Sequence, residues 1–221
     1  LSAPVNLTAT NDNRLLMGLA ARADLIVDFT DVPIGNHVLA NVGPDEPFGG
    51  GVPGVDFPVA DPASTGQIME FRVVPAVARD PTTPPQFLQL PAIALLSPAT
   101  VTRRLALLEE MSQFFADAPA ETLLGTVAGD PNVSPGVWTK RLWMEPVTEN
   151  PAVGATETWE FYNATADAHP MHVHEVAFEV VGRESLALDD ATGELATPLQ
   201  PTGDVRPPEA WETGFKDTVI A

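Results

Sequence analysis

Three of the four histidines of this chain fall within six positions, in the stretch HPMHVH at 169–174. Neutral imidazole suits copper, zinc, iron and nickel, and copper tops the affinity series of the divalent first-row metals. His169, His172 and His174 are therefore the candidate metal ligands. On extended backbone, side chains alternate between faces. His172 and His174 then share one face, and His169 has the opposite parity if the strand continues through Pro170. Proline cannot donate to a ladder, so this piece belongs at a sheet edge or where a strand starts. The spacing H-x-H also suits an ordinary solvated strand face, and short motifs arise by chance. Three imidazoles complete no copper redox centre without partners from elsewhere.

The elements that must position these residues read as strands. There are 23 prolines and 16 glycines in 221 residues, which break the chain into the short pieces of an all-β protein. LIVDFT (25–30), HVLANV (37–42) and IMEFRVV (68–74) are strand candidates in the first part. The Gly/Pro/Asp-rich loop 43–66 is long enough to be functional or mobile. A proline-dense stretch, 75–100, reads as an extended linker. Beyond it, VTRRLALLEEMSQFF fits a helical stripe through Leu105, Leu108, Met111 and Phe115, although RRLALLEE also fits a strand. VWTKRLWM (137–144) reads as a turn followed by a strand. ETWEFYNAT (157–165) alternates, as does HVHEVAFEVVGRE (172–184), where Val176, Phe178 and Val180 share a face. The result is two β-rich units, 1–74 and 101–221, each a sandwich or barrel, joined by 75–100.

Composition excludes several function classes. The formal charge of -19 repels nucleic acid and anionic lipid, so neither is an expected partner. No apolar run approaches the roughly 20 residues of a membrane-spanning helix. The absence of cysteine removes disulfides, thiolate nucleophiles and thiolate metal sites. No signal peptide is visible, and both termini, Leu1 and the strand-like DTVIA, read as cut.

The segment TETWEFYNATADAHPMHVHEVAFEVVGRE, 156–184, resembles the last domain of three-domain multicopper oxidases, such as bacterial laccases, spore-coat laccase and bilirubin oxidase. ARADLIVDFT (21–30), VLANVGPDEPFGGG, IMEFRV, EPVTENPAVGATETWEF and PPEAWETGFKDTVIA (207–221) resemble further family segments in order. The resemblance implies cupredoxin-like Greek-key domains, both incomplete: 1–74 as the end of domain two and 101–221 as a truncated domain three. It makes RRLALLEE the first strand of domain three, against the local helical pattern. It also implies copper ligands: His169 for type 1, His172 for type 2 and His174 for one of the type 3 pair. His37 matches no family ligand and is expected at the surface, and Met171 as a packing residue rather than an axial ligand. Asp167 and Glu175 are either solvated acids or acceptors that orient the imidazoles.

The family's activity is one-electron oxidation of phenols, aromatic amines or metal ions, coupled to reduction of dioxygen to water. That chemistry also needs a first domain and a final His-Cys-His segment, neither of which is found here. The resemblance therefore implies a fragment with one ligand for each copper type, inactive alone. An uncovered sheet edge and apolar face imply one of three outcomes for the chain: aggregation, self-association with another copy, or dependence on missing segments supplied in trans. Family members are often exported or on the spore coat, which favours an extracytoplasmic location. The competing expectations are a non-catalytic cupredoxin-like module with weak copper or zinc binding, and a β-sandwich interaction protein without metal.

Overall fold

The structure, a computed structural model, describes residue 7 and residues 13–116, 118–192, 195–196 and 199–221. It is all-β, with strands in several sheets, as cupredoxin-like sandwich domains require. No helix among the described residues is long and apolar enough to cross a membrane. The described residues form two compact units. One comprises those of Leu1–Ala92 with Asp167–Pro170 and Ile220; the other comprises those of Ile93–Ala166 and Met171–Val219, with Ala221.

The first unit holds an antiparallel pair, β1 (Gly35–Ala40) and β2 (Gln67–Val73), in a register that sets His37 opposite Phe71. LIVDFT, expected as a strand, carries none. Asp28 accepts hydrogen bonds from the Thr30 amide and hydroxyl, at 2.9 and 2.6 Å, which turns the chain. Phe29 packs on Phe71 at 5.2 Å between ring centroids without joining the ladder. The long loop 43–66 is internally bonded: Ala60 N–H reaches Gly43 O at 2.7 Å, Gly66 N–H reaches Asp61 O at 2.7 Å, and Phe48 meets Phe57 edge-on. Residues 75–100 hold no strand, and their regular element is a 3₁₀ turn, Pro85–Phe87.

The second unit is built on a four-stranded sheet in the order β5-β4-β3-β6. Its strands are β3 (Val101–Met111), β4 (Pro119–Ala128), β5 (Val137–Arg141) and β6 (Glu157–Asn163). β3 runs antiparallel to β4 and parallel to β6. This placement explains why 101–115 looks helical locally. Leu105, Ala106 and Leu107 are all buried, at 8%, 0% and 4% exposure, because β3 is covered on both faces and loses the alternation of a half-exposed strand. Ala106 joins Val127, Tyr162 and Leu199 in the core, with Trp138 edge-on to Tyr162. Arg103 and Arg104, successive residues on opposite faces, pair with Glu157 and Glu160 of the parallel neighbour. Hydrogen bonds from Arg103 and then Trp159 hold the Glu157 carboxyl below its ordinary range. VWTKRLWM is strand first and turn second: β5 ends at Arg141, and Glu145 N–H closes on Leu142 O.

Gly125 lies mid-β4, where a Cβ would stand 2.9 Å from Leu108 Cδ1 and 3.1 Å from the Thr139 carbonyl oxygen. The leucine can yield but the backbone oxygen cannot. Gly125→Ala is expected to cost about 1–3 kcal/mol by overpacking, read as a lower urea midpoint.

Candidate metal centre

The path to the histidines is set by side chains as much as by ladders. β6 ends at Asn163, whose Oδ1 accepts from the Thr165 amide and hydroxyl at 3.1 and 2.8 Å. This Asx turn stops the strand and redirects the chain. In the first unit, Ala168 N–H then donates to Phe48 O at 2.7 Å, so the loop 43–66 fixes the residue before His169. His169 is half-buried and precedes β7 (Pro170–His172), which Pro170 opens. β7 pairs with β12 (Thr218–Ile220) in a two-stranded ladder, the edge placement expected of a strand that begins with proline.

The strand expected over 172–184 is broken. β7 stops at His172, the chain bends at His174, and Glu175 adopts a left-handed φ of 65°. Short pieces follow: β8 (Phe178–Glu179), which pairs with β11 (Phe215–Lys216), and β9 (Arg183–Leu186), which pairs with β10 (Pro201–Arg206). The alternation in the sequence is real, but the partner pieces are too short to support one ladder.

Despite the bend, His172 and His174 come together. Their ring centroids are 4.9 Å apart at an interplanar angle of 68°, and both side chains are exposed. His172 Nδ1 lies 2.8 Å from Asp217 O and 3.0 Å from Thr218 Oγ1. Asp217 O also accepts from Val173 N–H at 3.0 Å, and Thr218 is buried, with 6% exposure. Sequence reasoning did not find Asp217 and Thr218. They are 45 positions or more from His172, and KDTV carries no metal-ligand signal.

Met171 is half-buried within β7, and Glu175 is exposed at the bend. His37 lies partly exposed on β1, its Nε2 donating to Pro33 O at 2.7 Å.

No group of three or more His, Cys, Asp or Glu side chains among the described residues is arranged to hold a metal ion. The His172–His174 pair brings together two adjacent imidazoles, one with its Nδ1 already engaged, and imidazole is a donor that copper and zinc take. It is a partial donor set, and further ligands must come from other residues.

Comparison with known proteins agrees with this chemistry. A family model described as multicopper oxidase matches residues 120–220. The chain is 30% identical to a laccase of Bacillus subtilis (strain 168) over 212 residues, 95% of this chain and 35% of that protein. It is 32% identical to a laccase of Haloferax volcanii over 214 residues, 93% of this chain and 28% of that one. It is also 32% identical to multicopper oxidase LPR1 of Arabidopsis thaliana over 174 residues, 78% and 26% of the two chains. The chain thus spans 26–35% of the length of these relatives. With matches running along nearly all of its residues, the chain belongs to the multicopper oxidase family and is laccase-like.

Proposed function

We propose that this chain contributes copper ligands to a laccase-like oxidase that takes single electrons from phenolic or aromatic molecules, or from metal ions, and reduces dioxygen to water. The observation that carries the reading is the His172–His174 pair, two exposed rings 4.9 Å apart with His172 Nδ1 engaged by the Asp217 carbonyl. Copper, when bound, supplies the one-electron redox chemistry. In this reading His172 holds type 2 copper, His174 one of the type 3 pair and His169 type 1, while 1–74 and 101–221 are parts of cupredoxin-like domains two and three. The protein's own work is to orient those imidazoles: β7 and its bend for His172 and His174, and the Phe48–Ala168 bond for the approach to His169. An extracytoplasmic or spore-coat location and dioxygen as oxidant belong to the same proposal. So does self-association of the 221-residue chain, which exposed Phe114, Trp143 and Met144, at 90%, 96% and 89%, support.

A second reading, a non-catalytic module with weak copper or zinc binding, draws support from the lack of a third donor near the pair among the described residues. Copper stoichiometry and absorption from ~330 to ~600 nm on the purified chain test the first reading. The expected result is sub-stoichiometric copper, no blue colour and no turnover, since no residue here supplies a thiolate. Turnover of a phenol by this chain alone would contradict it. Sequencing the encoding DNA separates the two readings: a downstream His-Cys-His segment favours the oxidase, and a stop codon directly after Ala221 favours the module.

A further inference from the structure

The side of the His172 ring away from Nε2 is more elaborately held than a surface imidazole needs. Nδ1 lies 2.8 Å from the Asp217 carbonyl oxygen. A carbonyl oxygen only accepts, so the proton is on Nδ1, and in the neutral ring the lone pair is on Nε2. Thr218 Oγ1 stands 3.0 Å from the same Nδ1 and 3.3 Å from Asp217 Oδ1. With the shared proton on the histidine, the hydroxyl accepts from Nδ1–H and donates its own hydrogen to the Asp217 carboxylate. Thr218 is buried at 6% exposure, which limits water as a substitute partner. Val173 N–H donates to the same Asp217 carbonyl and fastens the backbone on which both acceptors sit.

We propose that Thr218 is a positioning residue: with its own hydrogen committed to the Asp217 carboxylate, its hydroxyl accepts from His172 Nδ1–H beside the Asp217 carbonyl, and the two acceptors together lock the imidazole as the Nδ1–H tautomer and present Nε2 as the metal donor. The donor role rests on the reading of His172 as a ligand; the tautomer lock does not. The device does for His172 what hydrogen-bonded carboxylates and carbonyls do for metal-bound histidines generally, fixing ring orientation and raising the basicity of the ligating nitrogen. Asp167 and Glu175, the acids next to the motif, do not make these two Nδ1 contacts; the residues that do lie on β12 and immediately before it.

The test uses the metal-free 221-residue chain with ¹⁵N-labelled histidine, where two-bond ¹H–¹⁵N correlations report the tautomer of each ring. The wild type is expected to show His172 with its proton on Nδ1. Thr218→Val is expected to raise the Nε2–H population, Thr218→Ser to restore the Nδ1–H form, and Asp217→Ala to shift it in the same direction as valine but less. Cu(II) added alone should bind Thr218→Val about tenfold more weakly than wild type, with serine rescuing. A wild-type His172 protonated on Nε2, or a folded valine variant with an unchanged tautomer, overturns the lock. If valine proves unfolded, Asp217→Ala decides by the same readout. A tautomer that shifts while Cu(II) affinity stays constant overturns the donor half and with it the ligand role of His172, leaving the lock in place.

Discussion

Replacing His172 by alanine in the 221-residue chain is expected to lower Cu(II) affinity at least tenfold, about 1.4 kcal/mol, and replacing His174 to do the same. In the isolated chain, without the further ligands that would divide them between two coppers, the two rings are neighbours at 4.9 Å and an added Cu(II) takes both, so either variant loses half of its imidazole donors. His37→Ala should leave affinity unchanged, because its Nε2 is engaged by the Pro33 carbonyl. His169→Ala should also spare it, since His169 precedes β7 and is not one of the two paired rings. Isothermal titration with Cu(II), or competition against a chelator of known affinity, measures all four. Equal losses in His37→Ala and His172→Ala would mean that binding is adventitious. A loss in His169→Ala as large as in His172→Ala would mean that the motif acts as one three-histidine site, and the separation of His169 from the pair would have to be abandoned.

The second large effect is on stability. Arg183 meets Glu212 with two hydrogen bonds, at 2.8 and 2.6 Å, and Glu212 side-chain exposure is 13%. Glu212 also accepts from Glu209 N–H, closing a reciprocal cap on the 3₁₀ turn Ala210–Glu212. Arg183→Ala leaves that carboxylate mostly buried and without its main partner, a loss of roughly 2–3 kcal/mol. Urea unfolding at pH 7 should show the drop, and a change below roughly 0.5 kcal/mol would assign the pair to ordinary surface pairs. The pH dependence has a definite sign. Burial pushes the Glu212 carboxyl up, but hydrogen bonds from Arg183 and the Glu209 amide outweigh it, and the net displacement is downward. A carboxyl lowered by folding adds stability above its unfolded value of about 4.3, and that contribution is lost as pH falls through the folded value. Wild type should therefore lose stability on acidification more steeply than Glu212→Gln.

How much could be read from the sequence divides along physical lines. HVLANV and IMEFRVV are strands because each finds the other as an antiparallel partner. LIVDFT has equal β propensity but a turn-forming Asp28, so composition alone misleads there. Across 101–111 the local pattern misleads in the other direction, since burial on both faces of β3 removes the period-two signal; the family resemblance reads it correctly. The candidate ligands were legible because imidazoles are scarce and clustered. Their neighbourhood was not, since the contacts of His172 come from Asp217 and Thr218, and no local pattern reports a pairing over that separation. The shared side of His172 and His174 was inferred from strand parity, yet it arises at a bend.

The parallel pairing of β3 with β6 also fixes an order of events during synthesis. β3, β4 and β5 form a meander of adjacent antiparallel strands, which closes early because its contacts are local. β6 must cross back over a long separation, as Arg104 and Glu160 are 56 positions apart, and it can dock only after most of the unit has left the ribosome. The histidine segment follows β6, and β12, which carries a contact of His172, follows later still. The imidazole pair therefore acquires its geometry only once β12 has emerged, so a nascent chain offers copper no organised pair until β3 to β6 already stand.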